Sequence, residues 1–166
     1  MLGATMDEHD SAQPVPSGAD PTGPIELELE LELDVAVSRE RAWDAYVHGM
    51  TEWWHPGWTR SGTGLDRIDV EPHPGGRVIE HTRDGVEHVW GAVTDAVPGE
   101  RFGHTFHLSH EGEPSRVTVT FEDLPHGGTR VRFAHSGWNA SDEGARVKRT
   151  DWPLLLERYR AYAQHV

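Results

Sequence analysis

Residues 25–37, IELELELELDVAV, restrict the fold more than any other stretch of the chain. Ile25, Leu27, Leu29, Leu31, Leu33, Val35 and Val37 alternate with Glu26, Glu28, Glu30, Glu32 and Asp34 at a strict period of two. A helix would scatter those apolar side chains around its circumference, whereas a strand places them all on one face. The segment therefore reads as a long strand with one buried face. Its other face carries a row of carboxylates. Thr129-Arg130-Val131-Arg132-Phe133 offers the complementary pattern, arginines on one side and Val131 and Phe133 on the other, so the two strands are expected to pair. The alternative is that the glutamates simply face water. Even if they are paired, exposed ion pairs contribute only about 0.2–1 kcal/mol each.

The remaining elements follow from turn and periodicity signals. Residues 1–24 hold Pro, Gly, Ser and Asp with little that could pack, and are expected to form a disordered acidic tail, leaving 25–166 as one domain. Ser38 is placed to cap a short helix whose inward stripe is Ala42, Trp43, Tyr46 and Val47. Strands are expected at about 66–71, 77–82, 86–97, 101–109, 115–122 and 129–135, with Asp84-Gly85 marking a hairpin. From Asp142 to about Gln164, Trp152, Leu155, Leu156, Tyr159 and Tyr162 recur at helical spacing. Pro153 falls inside that pattern, which predicts a kink or a restart near Thr150 to Trp152.

Charge and composition remove several function classes. With 28 acidic against 15 basic residues the formal charge is -13, which repels phosphate backbones and anionic lipid surfaces. Neither nucleic acid nor membrane is an expected partner. Cysteine is absent, so disulfides, thiolate nucleophiles and cysteine-ligated zinc are excluded. No signal-peptide core follows the N-terminus and no run of about 18 apolar residues occurs, which reads as a soluble cytoplasmic protein.

Aromatic residues and histidines carry what chemistry there is. TEWWHPGW, residues 51–58, packs three tryptophans beside His55. Trp53 and Trp54 cannot both face the core from a regular helix without a bend at the following residues, so one is expected to plug the sheet and the other to line a pocket mouth. Trp90 lies on a strand whose inward face the sequence leaves open. His104, His107 and His110 stand three apart in HTFHLSH, which on a helix would make a metal-binding face. On a strand they diverge: His104 and His110 share the face of Phe102 and Phe106, and His107 takes the other. His135 continues the inward parity of Val131 and Phe133, and His81 shares a face with Ile79. No Gly-x-Ser-x-Gly elbow, His-Glu-x-x-His pair or phosphate loop occurs. No catalytic constellation, metal site or cofactor is expected.

The order of TEWWHPG after the first helix, Gly75-Gly76-Arg77, PGERFGHTF, GGTRVRFAHSGW and the late DWPLLLERY resembles the activator of heat-shock protein 90 ATPase homologue family, within the START-like or SRPBCC superfamily. The similarity spans about residues 25–163. It implies an α+β helix-grip fold, a curved antiparallel sheet wrapped around a long C-terminal helix with two short helices closing one end. Trp138 and Trp152 are then expected to flank the start of that helix. The resemblance further implies a hydrophobic cavity between sheet and helix, with Trp54, Phe102, His104, Phe106, Phe133, His135 and Leu155 as its lining. A small hydrophobic ligand is the partner this favours. One alternative is an enzyme of the polyketide cyclase or aromatase type, using His104 or His135 as acid or base. Another is a chaperone-associated interaction protein, using the acidic face and the Trp53 region. A homodimer is a further expected assembly. The chaperone activator proper carries a large additional N-terminal domain that the 24-residue tail does not match.

Overall fold

The computed structural model of the chain describes residues 26–107, 115–139 and 143–165, and within these the side chains of 28–107, 115–137 and 151–165. The N-terminal tail, His110 and the side chain of Trp138 lie outside the described residues. The element order is β1 (Glu26–Val35), α1 (Arg39–His48), α2 (Met50–Trp53), β2 (Leu65–Val70), β3 (Arg77–Thr82), β4 (Glu87–Val97), β5 (Arg101–Phe106), β6 (Ser115–Asp123), β7 (Thr129–Asn139) and α3 (Glu143–His165), with 3-10 turns at Pro56–Trp58 and Gly62–Gly64.

The alternating segment forms β1 and pairs antiparallel with β7, as its charge pattern predicts. Glu32 lies opposite Arg132 and Asp34 opposite Arg130, and the Arg132 and Arg130 Nε atoms sit 3.0 Å from those carboxylates. All four side chains are well exposed, so the pairs fix register more than they add stability. The sheet has seven strands in the order β1-β7-β6-β5-β4-β3-β2, antiparallel throughout. It curves around α3. The Ser38 Oγ accepts from Arg41 N at 3.2 Å, the N-cap that opens α1.

Two departures from simple alternation decide which residues reach the interior. In β4 the register against β3 passes from Gly91 to Val89, skipping Trp90, and against β5 it passes from Val93 to Asp95. These bulges let Trp90 and Val93 both point into the core. In β3, Val78 belongs to the core cluster and Glu80 reaches the Trp90 indole, whereas Ile79, though buried, lies outside that cluster. His81 is consequently not an interior imidazole. Its ring lies 3.0 Å from Asp69 and 3.7 Å from Glu87 on the other face.

The helix α3 runs through Pro153 without a break, so the expected restart does not occur. Pro153 still lacks the N–H that would reach the Arg149 carbonyl, at about 3 kcal/mol in a helix interior. Burial of Trp152, Leu155, Leu156 and Tyr159 in the core offsets that, at about 1.5–3 kcal/mol for each large side chain.

Candidate ligand-binding interior

Between sheet and α3 the aromatic side chains fall into two groups, joined by Phe102 and by the contact of Trp53 with Trp54. At the α1 end, Tyr46 meets Trp53, Phe102, Phe121 and Tyr159 with ring centroids 5.1–6.4 Å apart. Trp53 donates its indole N–H to the Ala45 carbonyl at 3.1 Å. Trp54 is the residue at which the short helix α2 stops, with extended φ/ψ of -72° and 138°. That change of backbone direction lets the second tryptophan reach new neighbours while its ring stays 5.6 Å from the first. It packs 4.8 Å from Trp90, 5.4 Å from Trp152 and 6.2 Å from Phe106, and so heads the second group. Trp53 is 1 % exposed and offers no docking surface, which removes it from the chaperone-contact alternative.

All seven residues singled out from the sequence are buried. Phe102, His104 and Phe106 come from β5, Phe133 and His135 from β7, Leu155 from α3, and Trp54 from the end of α2. The rings form one continuous set: His104 lies 5.6 Å from Phe102 and 5.9 Å from Phe106, Phe106 lies 5.7 Å from His135, and Phe133 lies 4.3 Å from Trp152. His107, by contrast, is half-buried and lies just past the end of β5.

The two interior histidines are in different states. The Trp152 indole donates to His135 Nδ1 at 3.0 Å, and an indole can only donate. His135 is therefore protonated on Nε2, which lies 2.7 Å from Ser115 Oγ, and Ser115 in turn donates to the Phe106 carbonyl at 3.1 Å. This donor chain fixes His135 as a neutral, oriented ring of the core. His104 instead donates through Nδ1 to the Thr105 carbonyl at 2.7 Å. Its Nε2 is then the unprotonated nitrogen of the neutral ring. Burial depresses its pKa to about 4, against a smaller upward pull from the Thr105 carbonyl, so the ring is neutral at pH 7.

A third polar group at this end gave no signal in the sequence. Glu80 is fully buried, and its carboxylate accepts from Arg60 N at 3.0 Å, Ser61 N at 2.6 Å, the Ser61 hydroxyl and the Trp90 indole at 2.9 Å. Burial alone would raise its pKa, but the bonds from Ser61, Trp90 and Arg60 outweigh that and hold it below the usual carboxylate value. Glu80 thus clamps the loop at 59–62 onto the sheet and fixes the ring against which Trp54 packs. Its partners come from distant positions, so no local motif announces it. Tyr46 has the reverse character: its position is legible from helical spacing, but its buried hydroxyl has no hydrogen-bond partner. Burial, and then the neighbouring Tyr159, push its pKa far up.

Grooves among the described residues also lie outside this interior. One, of about 540 Å³, runs along the outer face of the sheet beside Glu30, Glu32, Thr118, Thr120 and Arg132. Another, of about 430 Å³, lies beside Ser61, Arg83, Asp84 and His88. Among the described residues, no group of three or more His, Cys, Asp or Glu could hold a metal ion, and no helix is long and apolar enough to cross a membrane.

A curved antiparallel sheet closed on a C-terminal helix, with an aromatic interior between them, defines a helix-grip protein of the START-like class. Residues 36–164 match the model of the family described as activator of Hsp90 ATPase homolog 1-like protein, and the chain belongs to that family. No curated protein is significantly similar to it. Among solved structures, protein MLL2253 from Mesorhizobium loti is 22 % identical with a TM-score of 0.64, over 82 % of this chain and 96 % of that one. An uncharacterized protein from Rhizobium leguminosarum is 23 % identical with a TM-score of 0.60, over 87 % and 98 %. The Aha1 dimer from Colwellia psychrerythraea is 17 % identical with a TM-score of 0.62, over 84 % and 97 %. At these identities the likeness is one of fold.

Proposed function

We propose that the protein binds a small hydrophobic molecule between the sheet and α3, against Trp54, Phe102, His104, Phe106, Phe133, His135 and Leu155. The observation that carries this reading is Tyr46, which packs 6.1 Å from Phe102 and whose hydroxyl has no hydrogen-bond partner among the described residues. A core that served only packing would not keep a phenol at 0 % exposure with its hydroxyl unmet, because an unmet buried polar atom costs about 1–3 kcal/mol. A ligand that supplies an acceptor removes that cost. Phe102, Phe106 and Trp54 supply the apolar contact typical of such sites.

The enzyme alternative draws less support. His135 has both ring nitrogens engaged and its tautomer fixed by an indole. His104, with its pKa near 4, is a weak base at neutral pH. Self-association remains a separate proposal, supported only by the dimeric Colwellia protein, and sedimentation of the full chain tests it. Native mass spectrometry of gently purified protein tests the binding reading. A mass above that of the polypeptide, lost on denaturation, is expected. The bare polypeptide mass, together with tryptophan emission that ignores every added apolar molecule, would refute it.

A further inference from the structure

The two edges of the sheet are finished differently. At the β2 edge the Thr51 hydroxyl accepts from Ile68 N at 2.9 Å and donates to the Ile68 carbonyl at 3.1 Å, so a side chain of α2 occupies backbone groups that a further strand would need. β1 is the opposite edge. An edge strand turns alternate N–H and C=O groups away from its one neighbour. Among the described residues nothing bonds to those of β1 between Glu28 and Asp34, and the bond from Ala36 N to Gln164 Oε1 lies past the end of the strand. The β1 side chains are also only half answered. Glu32 and Asp34 meet Arg132 and Arg130, but Glu28 stands opposite Ser136 and Glu30 opposite Ala134, and neither has an ion pair among the described residues. On the other face Leu29, Leu31 and Leu33 pack against the core while staying part-exposed.

We propose that the free edge of β1 docks an extended segment of another protein in which Lys or Arg alternates with apolar residues, added to the sheet as a further strand. Opposed side chains of neighbouring strands share a face, so the cations of such a segment fall beside Glu28 and Glu30 and its apolar residues beside the leucines. The partner that β1 already has on its other side carries the same pattern, Arg130-Val131-Arg132-Phe133. Beside Glu30 the outer groove of about 540 Å³ passes over Ala134 and Thr118, which leaves space for a long cationic side chain. A second copy is the wrong occupant: β1 laid against β1 would set carboxylate opposite carboxylate, and like charges so placed are destabilising. The net charge of -13 draws basic partners in solution as well. This edge is separate from the apolar interior and does not depend on what binds there.

The test titrates three capped heptapeptides into the isotopically labelled full chain at physiological ionic strength. RVRFRVR has the required alternation, RRVFVRR has the same residues without it, and EVEFEVE keeps the alternation with the charge reversed. RVRFRVR should bind about tenfold tighter than RRVFVRR, and EVEFEVE should not bind. Alternate backbone amides between Glu28 and Asp34 should exchange quickly in the free chain and become protected only with RVRFRVR. Combining Glu28→Gln with Glu30→Gln, two exposed changes, should weaken RVRFRVR about fivefold. Equal affinity for RVRFRVR and RRVFVRR without protection of β1 would reduce the edge to a diffuse negative charge and overturn the proposal. It is overturned equally by failure of RVRFRVR to bind, or by β1 amides already protected in the free chain, whether by its own tail or by a second copy.

Discussion

Replacing Glu80 by glutamine should destabilise the protein more than a change of one atom suggests. The carboxylate serves four donors, Arg60 N and the Trp90 indole on Oε1, Ser61 N and the Ser61 hydroxyl on Oε2. Glutamine can keep its oxygen on only one of these sides. If the oxygen faces Arg60 and Trp90, the amide NH₂ meets the Ser61 N–H, donor against donor. Hydrogen bonds to a charged group contribute about 1.5–3 kcal/mol each, and an unmet buried donor adds a penalty of similar size. The serine hydroxyl can turn to accept, so one bond is lost outright and the expected loss for Glu80→Gln is about 2–3 kcal/mol. Glu80→Leu leaves the Trp90 indole buried without an acceptor and should cost about 3–5 kcal/mol. Ser61→Ala keeps the backbone bond and should cost about 1 kcal/mol. Urea unfolding at neutral pH gives the three values, with the slope unchanged if the effect lies in the folded state, and the Trp90 indole proton–nitrogen resonance reports the local bond. A Glu80→Gln variant within 0.5 kcal/mol of the parent and an unmoved indole resonance would refute the clamp.

Three other perturbations have calculable outcomes. The unfolded chain protonates His104 near its ordinary value of 6.5 while the folded chain does so only near 4, so stability should fall by roughly 3 kcal/mol as pH drops through that window. His104→Leu should flatten that part of the profile in denaturant titrations at pH 7, 5.5 and 4. Trp152→Phe deletes the donor to His135 Nδ1 and should cost about 1–3 kcal/mol, with the imidazole nitrogen spectrum showing loss of the single Nε2–H tautomer. Gly91→Ala would drive a Cβ into the carbonyl of Thr105, a backbone group that cannot step aside. We expect a loss of about 3 kcal/mol or more in thermal unfolding, and a near-neutral result would contradict the close approach of β4 to β5.

What the sequence made legible, and what it hid, have separate physical causes. The pairing of β1 with β7 could be read because alternation fixes which face is buried and the opposed charges fix the partner. His104, His135 and Phe133 are buried as their parity suggests because the two-residue period holds as far as these residues, the irregularity of β7 coming only at Gly137. Trp90 could not, because the bulges in β4 break the period on both sides of it. In β3 the parity suggested an interior role for His81, yet Glu80 occupies the interior. A carboxylate is affordable there only because Arg60, Ser61 and Trp90, 10 to 20 residues away, bring donors to it. The position of Tyr46 followed from helical spacing, but its lack of a partner is a property of the assembled interior. The restart expected at Pro153 did not occur because a local backbone penalty was outweighed by tertiary burial along α3.

The most direct measurement of the central claim is the set of intermolecular NOEs between bound naphthalene and the isotopically labelled full chain. A ligand held between sheet and α3 should give contacts to the Leu155 methyls and to the rings of Trp54 and Phe106. Contacts confined to Thr118, Thr120 and Ala134 on the outer groove, with none to Leu155, would contradict it.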